Sequence, residues 1–165
     1  MSALFEVTAA DVATTNDDWY TPRWIFDAAG ITFDMDVAAP VDPGRRTCPA
    51  REYLTPVEDG LSQPWDGLVW MNPPYSGTAP WVRRWAAHRD GLALVPAAKA
   101  AWLGDLLRAA ETIALVAVRF NRPERNDTGF PFAMVLAGRG ECATAVARVA
   151  AVDPNLQGAH FVRPA

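Results

Sequence analysis

Short apolar runs that alternate with helix-spaced segments constrain the fold of this chain most strongly. Compact runs at 68–71, 92–96, 113–118 and 132–136 are typical of buried strands. Between them, residues 79–89 and 100–110 carry hydrophobic side chains at helical spacing. Strands that alternate with helices predict an α/β sandwich with a mostly parallel central sheet flanked by helices.

The chain before residue 68 adds fewer elements. Thr21 is the expected N-cap of a helix whose first turn holds Pro22 and which ends at Gly30. Residues 31–38 are expected to form a strand and residues 53–54 a short one, whereas periodicity leaves 142–151 open between helix and strand. We expect a flexible N-terminal arm over 1–16 and one domain over 17–165.

Composition favours a soluble globular protein. Half of the 165 residues are hydrophobic, which is enough for a sizeable core, yet no apolar run approaches the ~20 residues that span a bilayer. The N-terminus lacks the basic and apolar regions of a secretory signal. The cysteines Cys48 and Cys142 are far apart and show no zinc-ligand spacing, so we expect no metal site.

The net charge of −4 is unfavourable for binding nucleic acid, since phosphate contacts usually need a basic surface. The distribution of charge is less unfavourable than the total. Arginines cluster at positions 45, 46 and 51, at 83, 84 and 89, and at 119, 122 and 125. Each cluster is either a phosphate-binding patch or an ordinary solvated surface.

The tetrapeptide Asn72-Pro73-Pro74-Tyr75 directly follows the apolar run 68–71. In a doubly wound sheet, ligands bind at the carboxyl ends of strands. Two prolines fix the backbone of such a loop and aim its polar groups at one point. A rigid surface turn is the alternative interpretation, but the position after a buried strand favours a functional loop.

This loop suits methylation of a planar amine, whose lone pair is delocalised and therefore a poor nucleophile. The side-chain oxygen of Asn72 and the carbonyl of Pro73 can accept hydrogen bonds from the amine and stabilise the charge that develops on it. The Tyr75 ring offers a face for stacking a base. The predicted catalytic residues are the four residues of this loop, Asn72, Pro73, Pro74 and Tyr75.

Five motifs in order resemble the phage-type DNA N6-adenine methyltransferases, a Dam-like group within the NPPY amino-methyltransferase superfamily. They are Trp19-Tyr20-Thr21-Pro22, Asp36-Val37-Ala38-Ala39, Asp59-Gly60-Leu61, Trp65-Asp66-Gly67 and Asn72-Pro73-Pro74-Tyr75. The resemblance covers about residues 17–137 and implies a compact, minimal Rossmann-like fold that depends on S-adenosylmethionine (SAM). It also implies methyl transfer to the exocyclic N6 amine of adenine in DNA.

The resemblance further implies roles for single residues. Residues Trp19, Tyr20, Thr21 and Pro22 would pack against the methionine end of the cofactor. Asp36 would meet its ammonium group, and Asp59 would accept from its adenine amine. Ala38 and Leu61, two positions after these aspartates, are also predicted to bind the cofactor. Phe120 would form a second wall for the target base. The alternative interpretation is that the tryptophans are core residues and that the aspartates form turns.

The chain departs from the superfamily pattern after its first strand. Ala38-Ala39-Pro40 stands where related enzymes carry a glycine-rich loop, and no clear acid is present for the ribose hydroxyls. Asp42 and Glu52 are both candidates for that role.

Adenine N6 lies inside the duplex, so the base must be flipped out or presented on a single strand. Arg83 and Arg84, in the helix after the tetrapeptide, and Arg122, in a polar loop, are candidates for backbone contacts with DNA. We expect short or weak sequence preference, a monomer or homodimer, and action in the cytoplasm of a phage-infected or prophage-carrying bacterium.

Two kinds of alternative stay open. The same tetrapeptide chemistry would methylate an RNA base, cytosine N4 or a protein glutamine, although the early Trp-x-Thr-Pro motif favours the phage DNA type. A non-catalytic nucleic-acid-binding protein on the same scaffold is the alternative from a different functional class.

Overall fold

The computed structural model describes residue 17 and residues 19–121, 132–153 and 160–162. Its helices are α1 (Arg23–Ala29), α2 (Thr78–Ala87), α3 (Ala101–Ala109) and α4 (Ala143–Val152). Its strands are β1 (Phe33–Asp36), β2 (Ala50–Tyr53), β3 (Val69–Met71), β4 (Gly91–Pro96), β5 (Thr112–Val118), β6 (Phe132–Arg139) and β7 (His160–Val162). The predicted arm over 1–16 lies outside the described residues.

The described strands form one sheet in the order β2-β1-β3-β4-β6-β5-β7. Strands β2, β1, β3 and β4 pair in parallel, and β6 is antiparallel to both β4 and β5. Strand β5 therefore runs in the same direction as β4, and among the described strands only β6 and β7 are reversed. The predicted α/β class is confirmed, and the mostly parallel sheet is refined by a reversed strand inserted between two parallel ones.

Helices cover both faces of the sheet, and the alternation of side chains along each strand supplies both interfaces. On one face, Trp70, Leu92 and Met134 pack with α1 and α4. On the other face, Met71 and Val95 pack with α2 and α3. The runs that form β3 and β4 are thus buried on both sides, whereas β5 exposes Leu115 and β6 begins with the exposed Phe132.

Several element boundaries differ from the sequence prediction, among them those of β1, which covers Phe33–Asp36 rather than 31–38. Strand β2 begins at Ala50 rather than Tyr53, because it pairs with β1 through Phe33 opposite Ala50. The undecided stretch 142–151 forms α4. The expectation that Thr21 caps the first helix is wrong, since Pro22 is the N-cap and no side chain caps that helix.

Among the described residues, no helix is long and apolar enough to cross a membrane. In the same part of the chain, no cluster of three or more metal-ligating side chains is found.

Candidate active site

A cavity of about 670 Å³ opens at the carboxyl ends of β1, β2 and β3. From β1 the chain continues to β2 on one side, whereas β3 pairs with β1 on the other side. The cavity therefore lies at a topological switch point, where open α/β sheets bind ligands. Its volume falls within the usual range of small-molecule sites, ~300–1,000 Å³.

Asn72 is the first residue after β3 and lines this cavity. Its Nδ2 donates to the carbonyl of Trp19 at 2.9 Å and to the hydroxyl of Thr21 at 3.2 Å. Its Oδ1 accepts from the Tyr75 hydroxyl at 2.8 Å. The structure thus places the predicted catalytic amide beside the predicted cofactor segment 19–22. Pro74 also lines the cavity, whereas Pro73 is buried and does not line it.

Aromatic rings gather around Tyr75. The Trp19 ring stacks on Tyr75 at 6.0 Å between centroids, and Phe120 meets both rings edge-on at 5.6 and 6.2 Å. The exposed Phe132 packs edge-on against Trp19 at 4.8 Å. Burial, followed by the nearby Asp17 carboxylate, raises the pKa of the Tyr75 phenol well above its usual value. The phenol is therefore a neutral hydrogen-bond donor at physiological pH.

Asp36 ends β1 and lines the cavity with only 4% of its surface exposed. The backbone N–H of Ala38 donates to its carboxylate at 3.3 Å. Burial raises the pKa of Asp36 to about 7, and the Ala38 hydrogen bond and the Arg46 charge oppose that rise. At this depth such a carboxyl is only partly ionised at neutral pH, because no cation among the described residues lies close enough to offset the cost of burial.

Asp59 reaches the cavity from a strained turn. Its φ of 56° lies in the left-handed region, and its Oδ1 accepts from the N–H of Leu61 at 3.3 Å. A side chain on Gly60 would collide with the carbonyl of Val37 and lie 3.1 Å from the Trp81 ring, so this position requires glycine. That close approach brings Asp59 next to the end of β1. Leu61 packs in the core instead of lining the cavity.

The two candidates for a ribose-binding acid are separated by the structure. Asp42 lines the cavity, where it accepts from the N–H of Gly44 at 2.8 Å. Glu52 lies exposed on β2 and does not line it. Ala38, in the Ala38-Ala39-Pro40 segment that follows β1, also lines the cavity.

The described residues that line the cavity carry an excess of negative charge. They include the aspartates Asp17, Asp36, Asp42 and Asp59, but only one cation, Arg45. Such a lining favours a cationic ligand.

The predicted DNA-contacting arginines are placed differently from one another. Arg83 is exposed on α2. Arg84 faces inward, where it donates to the carbonyls of Leu61 and Gln63 and lies 5.0 Å above the Trp65 ring. A phosphate contact by Arg84 would require these contacts to break, so the geometry does not support that role. Arg122 lies outside the described residues.

Sequence reasoning missed two contacts at the cavity. The Asp17 carboxylate accepts from the N–H of Ser76 at 2.9 Å and from its hydroxyl at 2.5 Å, which ties the N-terminal segment to the loop after Tyr75. Arg45 donates to the Tyr20 hydroxyl at 3.0 Å. Their only sequence signal is nearness to the Trp-x-Thr-Pro motif for Asp17 and membership of an arginine cluster for Arg45.

Fold and site together define an α/β protein with an acid-lined ligand cavity beside an Asn-Pro-Pro-Tyr loop. Residues 9–139 match the model of the DNA N-6-adenine-methyltransferase (Dam) family, and the chain belongs to that family. The resemblance drawn from the motifs is thereby confirmed.

A relative with the same description supports the assignment. The DNA N-6-adenine-methyltransferase of Haemophilus phage HP1 (strain HP1c1) is 37% identical over 73 residues. That match covers 41% of this chain and 40% of the phage protein, so the aligned region spans less than half of either. No solved structure matches the chain.

Proposed function

We propose that this protein transfers the methyl group of SAM to the N6 amine of adenine in DNA, on a compact Rossmann-like scaffold. The observation that carries the proposal is the shared cavity. Asn72 of the tetrapeptide, Asp36 at the end of β1 and Asp59 all line the same space. Membership of the Dam family and the similarity to a phage protein of that description support the choice of substrate.

The cavity residues fit the proposed cofactor, which supplies an electrophilic methyl group when bound. Asp36 would pair with the ammonium group, because a buried carboxylate gains most from a desolvated cation. Asp59 would accept from the adenine amine, and Asp42 from the ribose hydroxyls. The segment Trp19, Tyr20 and Thr21 lines the cavity and would close over the methionine end.

The residues after β3 would hold the target amine. The Oδ1 of Asn72 and the carbonyl of Pro73 would accept hydrogen bonds from its two N–H groups and stabilise the positive charge that develops on nitrogen, which would then lose one proton to solvent. The Tyr75 hydroxyl now donates to that Oδ1, so the amine would replace one donor with another. The rings of Tyr75 and Phe120 now meet edge-on at 6.2 Å, so they would have to separate before they could flank the base.

The base would reach this site by leaving the helical stack, or from a single strand. Exposed Arg83, on the helix that follows the tetrapeptide, would contact the phosphate backbone. From the similarity to a phage protein, we place this activity in the cytoplasm of an infected or prophage-carrying bacterium.

The direct test is to incubate the protein with SAM labelled in its methyl group and with unmethylated DNA, then digest the DNA and identify the labelled nucleoside. Label in N6-methyladenosine is expected. Label in N4-methylcytosine, in RNA or in protein glutamine would change the substrate. Cofactor binding without any transfer would indicate a non-catalytic scaffold.

The variant Asn72→Ala tests the assigned role of the loop. Because it removes a group that would stabilise the transition state, we expect methyl transfer to fall by about 100-fold or more. Cofactor affinity, measured by calorimetry, should stay nearly unchanged. A variant that still transfers methyl groups at the wild-type rate would contradict the role.

A further inference from the structure

The orientation of the Asn72 side-chain amide is fixed by its surroundings. Nδ2 donates to the main-chain carbonyl of Trp19 at 2.9 Å. A carbonyl oxygen can only accept, so the amide nitrogen must face it and the amide oxygen must face the opposite way. In this orientation Oδ1 points toward the Tyr75 hydroxyl, 2.8 Å away.

The Thr21 hydroxyl is a second acceptor for the same nitrogen, at 3.2 Å. Thr21 is 4% exposed, and its own carbonyl accepts from the Thr47 hydroxyl at 2.6 Å. Its neighbour Tyr20 forms an antiparallel bridge with Asn121. These two contacts hold the backbone at Thr21 in place. Its hydroxyl is not used to cap α1.

We propose that Thr21 is a positioning residue for methyl transfer, whose hydroxyl holds the Asn72 amide with its oxygen directed at the target amine. This inference rests on the proposed function, because it concerns the same reaction. With the amide flipped, its NH2 group would meet the NH2 group of the base, and two donors make no hydrogen bond. The Trp19 carbonyl selects the one orientation that can accept from the substrate, and the Thr21 hydroxyl, which accepts from the same nitrogen, is a second contact that restricts movement of the amide.

A different role for Thr21 makes a different prediction. Thr21 also lines the cavity, so its hydroxyl could instead contact the cofactor directly. A positioning residue affects the rate of the chemical step, whereas a cofactor ligand affects cofactor affinity. The two roles are therefore separable by measurement.

The test compares Thr21→Val and Thr21→Ala, which both lack the hydroxyl, with Thr21→Ser, which retains it. The single-turnover rate is measured at saturating SAM and DNA, and the cofactor Kd by calorimetry. Because the Trp19 carbonyl still holds the amide, we expect the hydroxyl-free variants to be about threefold to tenfold slower, the effect of one neutral hydrogen bond. Thr21→Ser should stay within about twofold of the wild type.

Thr112→Val is the matched control for a buried threonine. Its hydroxyl donates to the carbonyl of Ala143 at 2.6 Å, and it does not line the cavity. We expect this variant to lower the thermal midpoint without changing the single-turnover rate. Thr21→Ala guards against a folding failure of the bulkier valine variant.

The outcomes separate the inference from the proposed function. No methyl transfer to adenine by the wild type would overturn the proposed function. An active wild type with hydroxyl-free variants that are equally fast, or that lose only cofactor affinity, would overturn the positioning role alone. Slow hydroxyl-free variants with unchanged cofactor Kd and an active serine variant would support it.

Discussion

At the scale of single residues, Asp36 combines deep burial with a charge that the proposed chemistry needs. Its raised pKa of about 7 means that part of the population is neutral at physiological pH. A cofactor ammonium would bind the ionised form, because the positive charge of the ammonium compensates the carboxylate for the water that it loses on burial. Cofactor binding should therefore be linked to deprotonation of this group.

We predict that cofactor affinity falls as the pH is lowered through 7. With a pKa of about 7, roughly a tenth of Asp36 is ionised at pH 6, so the apparent Kd for SAM should be about tenfold weaker there than at pH 8. Calorimetry over pH 5.5–8.5 would measure it. The isosteric variant Asp36→Asn should bind weakly, with no such dependence; an unchanged pH profile in this variant would contradict the assignment.

The same group affects stability with a definite sign. Its pKa in the folded state lies above the ordinary value of 3.8, so its contribution to stability is fully present below that value and is lost as the pH rises through about 7. The difference between a pKa of 3.8 and one of about 7 corresponds to roughly 4 kcal/mol at most. Above its pKa, the buried carboxylate of Asp36 therefore lowers the stability of the fold while it supplies the cavity with a negative charge.

At the scale of elements, the turn 59–61 is held against β1 by the absence of a side chain at Gly60. We predict that Gly60→Ala destabilises the protein by roughly 1–3 kcal/mol, the usual range for overpacking. The same change should weaken SAM binding, because the Asp59 turn must move away from the end of β1. Denaturant unfolding and calorimetry would measure the two effects.

Gly104→Ala is the control for this prediction. Gly104 lies within α3, and an added Cβ would approach only the flexible end of Arg108 at 3.4 Å. Alanine has the higher helix propensity, so this variant should be more stable by about 0.5–1 kcal/mol and bind SAM normally. Equal behaviour of the two alanine variants would show that the close approach at Gly60 is unimportant.

The elements that the sequence predicted well are those whose information is local. The composition of the run 68–71 and of the loop Asn72–Tyr75 predicts a buried strand followed by a functional loop. In the structure β3 forms within that run, and the loop contributes to the lining of the cavity. The start of β2 and the insertion of β6 between β4 and β5 depend on pairing between distant segments, which local periodicity does not encode.

The helix-capping prediction for Thr21 was wrong for a similar reason. Its local pattern fits an N-cap, but its hydroxyl makes a contact 51 residues away, with Asn72. The Asp17–Ser76 and Arg45–Tyr20 contacts are also long-range. Single-sequence reasoning finds residues whose chemistry is set by a motif and misses those whose role comes from a tertiary neighbour.

At the scale of the whole molecule, a net charge of −4 must be reconciled with the proposed polyanionic substrate. Four aspartates line the cavity, where they favour a cationic ligand. Binding to DNA would then depend on exposed cations whose charge is not used inside the fold. Arg83 and Arg84 are adjacent in α2 and differ in this respect.

We predict that these two arginines affect different properties when replaced by alanine. Arg83 is exposed, so Arg83→Ala should change stability by less than about 0.5 kcal/mol and weaken DNA binding. Loss of one phosphate contact should reduce the slope of log K against log salt concentration by about 0.9. Binding measured by fluorescence anisotropy across a salt series would determine that slope.

Arg84→Ala is the matched comparison, because it removes the same charge from the next position of the same helix. Its guanidinium donates to the carbonyls of Leu61 and Gln63 and stacks on Trp65, so its loss should destabilise the fold by roughly 1–3 kcal/mol. The salt slope should stay that of the wild type, because an internally bonded guanidinium releases no counterion from DNA. If Arg84→Ala flattened the slope and Arg83→Ala did not, α2 would face DNA through its other side, and the arrangement of charge inferred here would have to be reversed.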